Sequence, residues 1–277
     1  MKKLLLMIVL LLAACQPVDS PNKLRIISLM PSNTEILYEL GLGDAVIGVS
    51  TEDDYPADVK TKLKFDGFNL NKEALLKARP THIVTHESAR NAQHKILADL
   101  KARGVTIIYV KEAVRLSQLD ETFMQVAEAV DRVDEGRRLS QRVTEDIDDV
   151  IRRYPSAGGQ RVFMEVSSAP EIYTSGSGTL FDDMITRLGA VNVFHDIDGW
   201  QPVSKEAIVR RNPDVLISTT GQSAAAYRQT IERRGGFNET TAVKQSRIDA
   251  LNDDLFTRPG PRIAKGLEAL ATILADQ

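Results

Sequence analysis

The residue types that carry out most enzymatic chemistry are few in this sequence and widely separated. Cys15 is the only cysteine, so neither a disulfide nor a thiolate zinc site can form within the chain. The four histidines are dispersed, and neither the G-x-S-x-G motif of hydrolases nor the H-E-x-x-H motif of metalloproteases occurs. We therefore expect no catalytic residue, no metal site and no cofactor, and a chain that binds its ligand unchanged. An exported enzyme is the more distant alternative.

Polar and aromatic residues at the ends of predicted elements are better candidates for ligand binding. Ser32 and Asn33 follow the first predicted strand and precede a helix, where free amide groups can hold a ligand. Ser32 also has capping-box spacing to Glu35, so a purely structural role is an equal alternative. His86 ends a predicted strand, and Trp200 follows a glycine in a polar segment that we expect to be a loop. A packing role is the alternative for Trp200.

Short strand patterns and amphipathic helix patterns alternate on both sides of one long helical segment. The predicted strands lie at 25–29, 45–49, 82–85, 105–110, 161–166, 171–175 and 214–219. The predicted helices lie near 33–41, 72–78, 91–103, 134–153, 179–188, 204–211, 223–234 and 261–275. The alternation predicts an α/β fold, in which two Rossmann-like lobes with parallel-type sheets are joined by a single long backbone helix.

The absence of strand patterns in the middle of the chain sets the expected domain bounds. We expect an N-terminal lobe over 24–116, linking helices that include the backbone helix over 117–155, and a C-terminal lobe over 156–277. Residues 72–85 also align without a gap with residues 205–218, with identical lysine, glutamate, alanine and proline positions. This internal similarity predicts that the lobes are related folds that face each other across a ligand cleft. The alternative is that any helix, proline and strand of an α/β protein look alike.

The first residues combine a basic start, an apolar run of about a dozen residues and small residues, which is typical of a secretory signal. We predict a signal peptide over 1–14. Leu12-Ala13-Ala14-Cys15 resembles the bacterial lipobox, which predicts lipidation of Cys15 and a lipidated tether over 15–23. The expected location is the periplasm or the outer face of the cell envelope, with membrane attachment through the lipid. The net charge of −3 without a basic cluster argues against nucleic acid as a partner.

Several stretches occur in the order found in the cobalamin-binding receptors of bacterial ABC importers, within the helical-backbone class of metal-chelate receptors. The stretches are RIISLMPSNTEILYELG, GVSTEDDYP, GFNLNKEALLKARPTHIVT, RVFMEV, YTSGSGT, PVSKEAIVRRNPDVLIST and DLFTRPGPRI. The chain resembles this family over essentially its whole mature length. The resemblance implies a two-lobed fold that holds cobalamin or a related corrinoid between its lobes, with limited closure on binding.

The resemblance also implies the roles of individual residues. In the family, aromatic side chains sandwich the corrin ring, and Phe65, Tyr173 and Trp200 fall at such positions. Asp254 and Arg258 fall where polar contacts to the ligand occur. Large flat rings favour aromatic walls, because each aromatic side chain buries much apolar area and loses little entropy.

Two positions depart from the family pattern. Glu52 and His86 stand where the family has aromatic residues, and aromatic residues make up only 5% of the chain. Haem or an iron-siderophore is therefore the alternative ligand, and His86 is a candidate to offer its imidazole to the metal of such a ligand.

The remaining implications concern partners. In the family, one exposed glutamate on each lobe engages arginines of the membrane permease, and these positions match Glu73 and Glu206. The alternative role for both is that of helix-start residues favoured by the helix dipole. We expect the partners to be a permease dimer with its ATPase subunits, and we expect the receptor itself to be a monomer.

Overall fold

The computed structural model describes residues 23–276. The predicted signal peptide over 1–14, Cys15 and all but the last residue of the predicted tether lie outside the described residues. Across residues 23–276, none of the helices combines the length and the apolar character needed to cross a membrane.

The first lobe is built on a five-stranded parallel sheet with the strand order β3-β2-β1-β4-β5. Its strands are β1 (Ile26–Ser28), β2 (Val46–Ser50), β3 (Leu63–Phe65), β4 (His82–His86) and β5 (Thr106–Val110). Its helices are α1 (Pro31–Glu39), α2 (Lys72–Ala78), α3 (Ala89–Ala92) and α4 (His94–Ala102). The strand order reverses between β1 and β4, and this reversal defines the switch point of an open α/β sheet.

Two helices connect the lobes. They are α5 (Leu119–Ala129) and α6 (Val133–Arg153). The 21 residues of α6 span about 30 Å, and Leu139, Val143, Ile147 and Val150 form its buried stripe. The predicted single backbone helix is confirmed, because the apolar spacing of four, four and three residues leaves only one face of α6 to be covered.

The second lobe contains a six-stranded mixed sheet with the order β11-β10-β6-β7-β9, and β8 pairs with β6. Its strands are β6 (Arg161–Ser167), β7 (Ile172–Ser175), β8 (Val191–Asn192), β9 (Trp200–Val203), β10 (Val215–Ser218) and β11 (Ile248–Ala250). Its helices are α7 (Leu180–Arg187), α8 (Lys205–Arg211), α9 (Ala224–Arg233), α10 (Thr241–Lys244), α11 (Asp253–Thr257) and α12 (Ile263–Ala275).

The parallel character that we predicted for this second sheet holds for β11, β10 and β6 but not for its other edge. Strand β7 runs antiparallel to β6, and β9 runs antiparallel to β7. The physical reason is the length of the β6–β7 connection, because residues 168–171 are too few for the crossover that a parallel pair requires. The two-lobed α/β fold itself is as predicted.

One continuous apolar core belongs to both lobes. It contains Ile26 and Val84 from the first sheet, Val143 from α6, and Phe181 and Leu267 from the second lobe, all at most 1% exposed. Two smaller clusters lie on the outer faces, one in each lobe. The linking helices α5 and α6 contribute to the shared core, so the lobes are fused at their base rather than tethered.

The structure also corrects the predicted start of α1. The helix begins at Pro31, and its N-cap residue Met30 offers no side-chain hydrogen bond, so the capping box of Ser32 and Glu35 does not form. Proline is favoured at the first helical position because its fixed φ suits the helix and its missing N–H costs nothing there. Glu35 is instead buried inside the first two turns of the helix.

Candidate ligand-binding cleft

A cavity of about 50 Å³ lies between the lobes at the carboxyl edge of the first sheet. Its first-lobe wall comes from residues 30–33 directly after β1, from His86 at the end of β4, and from Glu112 just after β5. Residues 257–259 of the second lobe close the other side. Ligands of open α/β sheets bind at this switch point. The structure thus brings together Ser32, Asn33, His86 and Arg258 of the predicted site.

The cavity is small because Arg258 of the second lobe reaches across the cleft. Its Nη1 donates to Oδ1 of Asp54 at 2.5 Å, and its Nη2 donates to the carbonyl oxygen of Glu52 at 3.2 Å. Asp254, one helical turn earlier, pairs with the same guanidinium at 2.5 Å. Most ligand pockets measure about 300–1,000 Å³, so a ligand of ordinary size enters only when these contacts across the cleft separate.

A second arginine joins the lobes deeper in the cleft. The Nε and Nη2 atoms of Arg262 donate to the two carboxylate oxygens of Glu35 at 2.9 and 2.6 Å, and the ring of Tyr55 covers the same guanidinium at 4.0 Å. The carboxylate of Glu35 is buried, so this bidentate pair neutralises a charge that has lost its water. Neither Arg262 nor Asp54 was predicted, although a glutamate within the apolar run of α1 signals that a cation must lie opposite.

The charges around Arg258 shift the pKa values of the two aspartates in opposite directions. Although partial burial opposes it, the hydrogen bond and charge of Arg258 lower the pKa of Asp54. Partial burial raises the pKa of Asp254, and the nearby carboxyl of Asp54 raises it further.

His86 belongs to a second polar group in the cavity. Its Nε2 lies 3.2 Å from Oε2 of Glu112, and its Nδ1 lies 2.8 Å from Oγ of Ser88. The hydrogen bond to Glu112 raises the pKa of His86, while partial burial opposes the shift. Within residues 23–276, no three histidine, cysteine, aspartate or glutamate side chains are grouped so that they could hold a metal ion.

Three aromatic side chains of the second lobe are in contact, and the last of them directly precedes the cavity wall. Trp200 is 47% exposed, and its ring makes an edge-to-face contact with Phe181 at 5.2 Å. Phe181 in turn lies 5.5 Å from Phe256, which directly precedes residues 257–259 of the cavity wall. Trp200 begins strand β9 and is not in a loop as we predicted, because residues 200–203 pair with β7. Tyr173 is half-buried on β7, opposite Pro202.

The structure corrects the placement of Phe65. Its ring is only 7% exposed and lies in the outer core of the first lobe, with Ile27 and Leu29. It covers Gly48 so closely that a Cβ atom there would approach the ring to 2.4 Å. Phe65 ends the three-residue strand β3, which was not predicted, and its ring packs over Gly48 of the neighbouring strand β2. The ring therefore offers no face to a ligand.

The internal similarity of the sequence is repeated in the structure. Helices α2 and α8 both have seven residues, both begin with a side-chain N-cap, from Asn71 and Ser204, and both end at a left-handed residue, Arg79 and Asn212. Each is followed by a proline and a buried parallel strand. Glu73 and Glu206 occupy the same position at the start of these helices, and both are exposed.

A pair of arginines that we did not predict extends this similarity. Arg25, just before β1, donates to the carbonyl oxygens of Ala78 and Arg79 at the end of α2. Arg161, at the start of β6, donates in the same way to the carbonyl oxygens at 211 and 212, at the end of α8. The orphan carbonyls of both helices are thus satisfied by equivalent side chains. The helix–strand units around α2 and α8 are therefore built alike in the two lobes.

Curated relatives cover most of the chain. An uncharacterized ABC transporter substrate-binding lipoprotein, YvrC, of Bacillus subtilis (strain 168) is 37% identical over 250 residues, which are 89% of this chain and 78% of the relative. The vitamin B12-binding protein of Yersinia pestis (strain Pestoides F) is 27% identical over 91% of this chain and 86% of its own.

Solved structures share the fold. A possible iron-binding, periplasmic solute-binding protein of Staphylococcus epidermidis has a TM-score of 0.83 at 48% identity, over 90% of this chain and 98% of that one. The periplasmic heme-binding protein RhuT of Roseiflexus has a TM-score of 0.81 at 28% identity, over 92% and 99%. Residues 26–255 match the family described as periplasmic binding protein. This chain is therefore a member of the periplasmic binding protein family.

Proposed function

We propose that this chain is the substrate-binding lipoprotein of an ABC importer, which captures cobalamin or a related corrinoid in the cleft and delivers it to the permease. The observation that carries the proposal is the cleft between the lobes at the switch point, closed by the side chain of Arg258. A binding protein needs such a site to separate and close again around its ligand. The vitamin B12-binding relative supports the choice of a corrinoid.

Haem or another iron chelate is the second candidate ligand. His86 favours it, because its imidazole lies in the cavity wall where a metal of the ligand would be reached. The iron- and heme-binding neighbours support the same alternative. Both ligands are metal chelates that carry polar groups, so both suit the polar side chains of the cavity wall.

Calorimetric titration with cobalamin, cobinamide, haem and a ferric siderophore separates these candidates. We expect a corrinoid to bind and to quench the fluorescence of Trp200, the only tryptophan of the chain. Binding of haem without corrinoids would select the alternative ligand. Binding of none of the four would contradict the proposed class of function, and recovery of a chemically altered ligand would point to an enzyme.

The permease contact is proposed for Glu73 and Glu206. Their equivalent places on two related lobes suit a two-fold importer, and arginine–carboxylate pairs would make docking sensitive to salt. The double variant Glu73→Ala with Glu206→Ala is expected to bind ligand normally but to lower uptake several-fold in cells. Glu145→Ala, an exposed glutamate on α6, is the matched control and leaves uptake unchanged. Normal uptake by the double variant would overturn the docking role.

The site of action follows from the family, which places the chain outside the cytoplasm. Attachment to a membrane through a lipid on Cys15 is the part that needs an experiment. Cys15→Ser is expected to abolish incorporation of a labelled fatty acid and to move the protein from the detergent phase to the aqueous phase. Light scattering of the soluble variant should then give the mass of a monomer with its corrinoid.

A further inference from the structure

Phe68 is the most exposed large apolar side chain that the structure describes, at 75%. Its backbone is nevertheless held firmly. Oδ1 of Asp66 accepts hydrogen bonds from the amides of Phe68 and Asn69 at 2.9 and 3.0 Å, and Nε2 of Gln93 donates to the carbonyl oxygen of Phe68 at 2.5 Å. A large ring displayed in water on a braced loop has no packing role within the chain, and such positions are where binding residues concentrate.

Phe68 follows the end of β3 and so lies at the carboxyl edge of the first sheet, the edge at which the cleft opens. Gly67 lies against the carbonyl oxygen of Leu29, where an added Cβ would approach to 2.6 Å, and Leu29 leads directly into the cavity wall after β1. Gln93 belongs to the segment that leaves β4, the strand whose last residue is His86. The loop around Phe68 is therefore supported by the two chain segments that leave the switch point of the first sheet.

We propose that Phe68 supplies the aromatic wall of the first lobe for the ligand, a role that the buried ring of Phe65 cannot fill. This inference rests on the proposed function, because only a ligand with a flat conjugated ring gains from stacking on Phe68. Trp200 is the exposed aromatic of the other lobe. The ligand is then held by one ring from each lobe, with Arg258 and His86 between them as polar contacts.

Phe68 also lies four residues before the start of helix α2, which carries Glu73, so the permease is the competing occupant of this ring. The position of Phe68 after β3 favours the ligand, since ligands of open α/β sheets bind at the carboxyl edge of the strands. Ligand affinity and uptake distinguish the two, because a docking residue changes uptake at unchanged affinity.

The test is titration of Phe68 variants with the chelate that the wild-type chain binds. Phe68→Ala is expected to weaken binding roughly tenfold or more, because burial of an aromatic side chain is lost. Phe68→Tyr should bind with the affinity of the wild-type chain, because tyrosine keeps the flat ring. Phe68→Leu should bind more weakly than the wild-type chain, because leucine keeps apolar volume but has no flat face. Leu63→Ala is the matched control, because Leu63 is 53% exposed at the opposite end of β3.

The outcomes separate this inference from the proposed function. If the wild-type chain binds no chelate of the panel, the proposed function fails and this inference fails with it. If the wild-type chain binds and Phe68→Ala binds equally well, only the role of Phe68 is overturned. Unchanged affinity with reduced uptake would assign Phe68 to the permease surface instead. Thermal unfolding of each variant shows that the exposed substitution leaves the fold intact.

Discussion

Glu165 carries a fully buried carboxylate at the heart of the second lobe. Arg234 donates to its two oxygens at 2.5 and 2.7 Å, Tyr227 donates its hydroxyl at 3.0 Å, and Ser168 donates at 2.5 Å. Burial raises the pKa of Tyr227 well above its usual value, and the negative charge of Glu165 raises it further. The group is satisfied only as a whole, so its members depend on one another.

Loss of the positive charge of Arg234 is expected to lower the free energy of unfolding strongly. Arg234→Ala leaves a buried carboxylate without its counter-charge, and such losses destabilise proteins by about 3–5 kcal/mol. Urea denaturation measures the free energy of unfolding. Arg152→Ala, which breaks an exposed pair with Asp149 on α6, is the control and should cost less than about 1 kcal/mol. Equal effects of the two variants would contradict the assignment.

The pair of His86 and Glu112 predicts a defined pH dependence. Because the folded-state pKa of His86 is raised above its ordinary value of 6.5, the pair stabilises the fold fully below that value. The contribution is lost as the pH rises through the raised pKa. Glu112→Gln should lower the pKa of His86, as followed by NMR of the imidazole, and should remove this part of the pH dependence. An unchanged titration would show that Glu112 is not the cause.

At the scale of elements, helices and strands with a strong apolar periodicity could be predicted from the sequence, whereas the short strands β3 and β11 could not. The stripe of α6 and the buried strands β4, β5 and β10 were evident, because their apolar spacing extends over enough residues to exclude other structures. Strands β3 and β11 have three residues each and contain charged residues, so only their sheet partners define them. The buried position of Phe65 follows from β3 and was missed with it.

Contacts between side chains that are far apart in the sequence could not be predicted either. Glu35 and Arg262 are separated by 227 residues, and only the closed cleft brings them together. Their local patterns suggested other roles, since Glu35 has the spacing of a capping box and Arg262 lies at the start of a helix. Ser32, Asn33 and His86, which share the cavity, were predictable because they lie at the ends of elements, where an open sheet binds its ligand. Arg258 was expected from the family resemblance alone.

The contact between α5 and α6 gives a prediction in which two effects oppose each other. Gly136 lies inside α6, where alanine would be favoured by about 1 kcal/mol on helix propensity alone. An added Cβ would approach the Cβ of Ala127 to 2.4 Å and Sδ of Met124 to 3.2 Å, and overpacking of this kind costs about 1–3 kcal/mol. We expect Gly136→Ala to destabilise the protein in urea denaturation.

A matched substitution checks this conclusion. Gly235 has open space where a Cβ would be added, so Gly235→Ala is expected to leave the free energy of unfolding within about 0.5 kcal/mol. Stabilisation by Gly136→Ala would mean that α5 and α6 move apart more readily than their close contact implies.

At the scale of the whole molecule, the contacts across the cleft give a prediction for the rate at which the proposed ligand enters. On the proposed function, the pair of Arg258 and Asp54 breaks before the ligand enters, and Asp54 is 55% exposed, so the pair is worth about 1 kcal/mol at most. Asp54→Ala is therefore expected to raise the association rate of the ligand by up to about fivefold in stopped-flow fluorescence of Trp200. Asp99→Ala, which breaks pairs within the first lobe only, should leave the rate unchanged. A slower rate for Asp54→Ala would show that Asp54 contacts the ligand itself.

The core that both lobes share has a consequence for how new specificities can be made in this family. A chimera that joined one lobe of this chain to the other lobe of a haem receptor would cut through the apolar interior at α5, α6 and α12 and would have to be repacked before it folded. Transplanting a few rim side chains leaves that interior untouched. A change of ligand specificity is therefore easier to reach by substituting side chains at the rim of the cleft than by recombining lobes of different receptors.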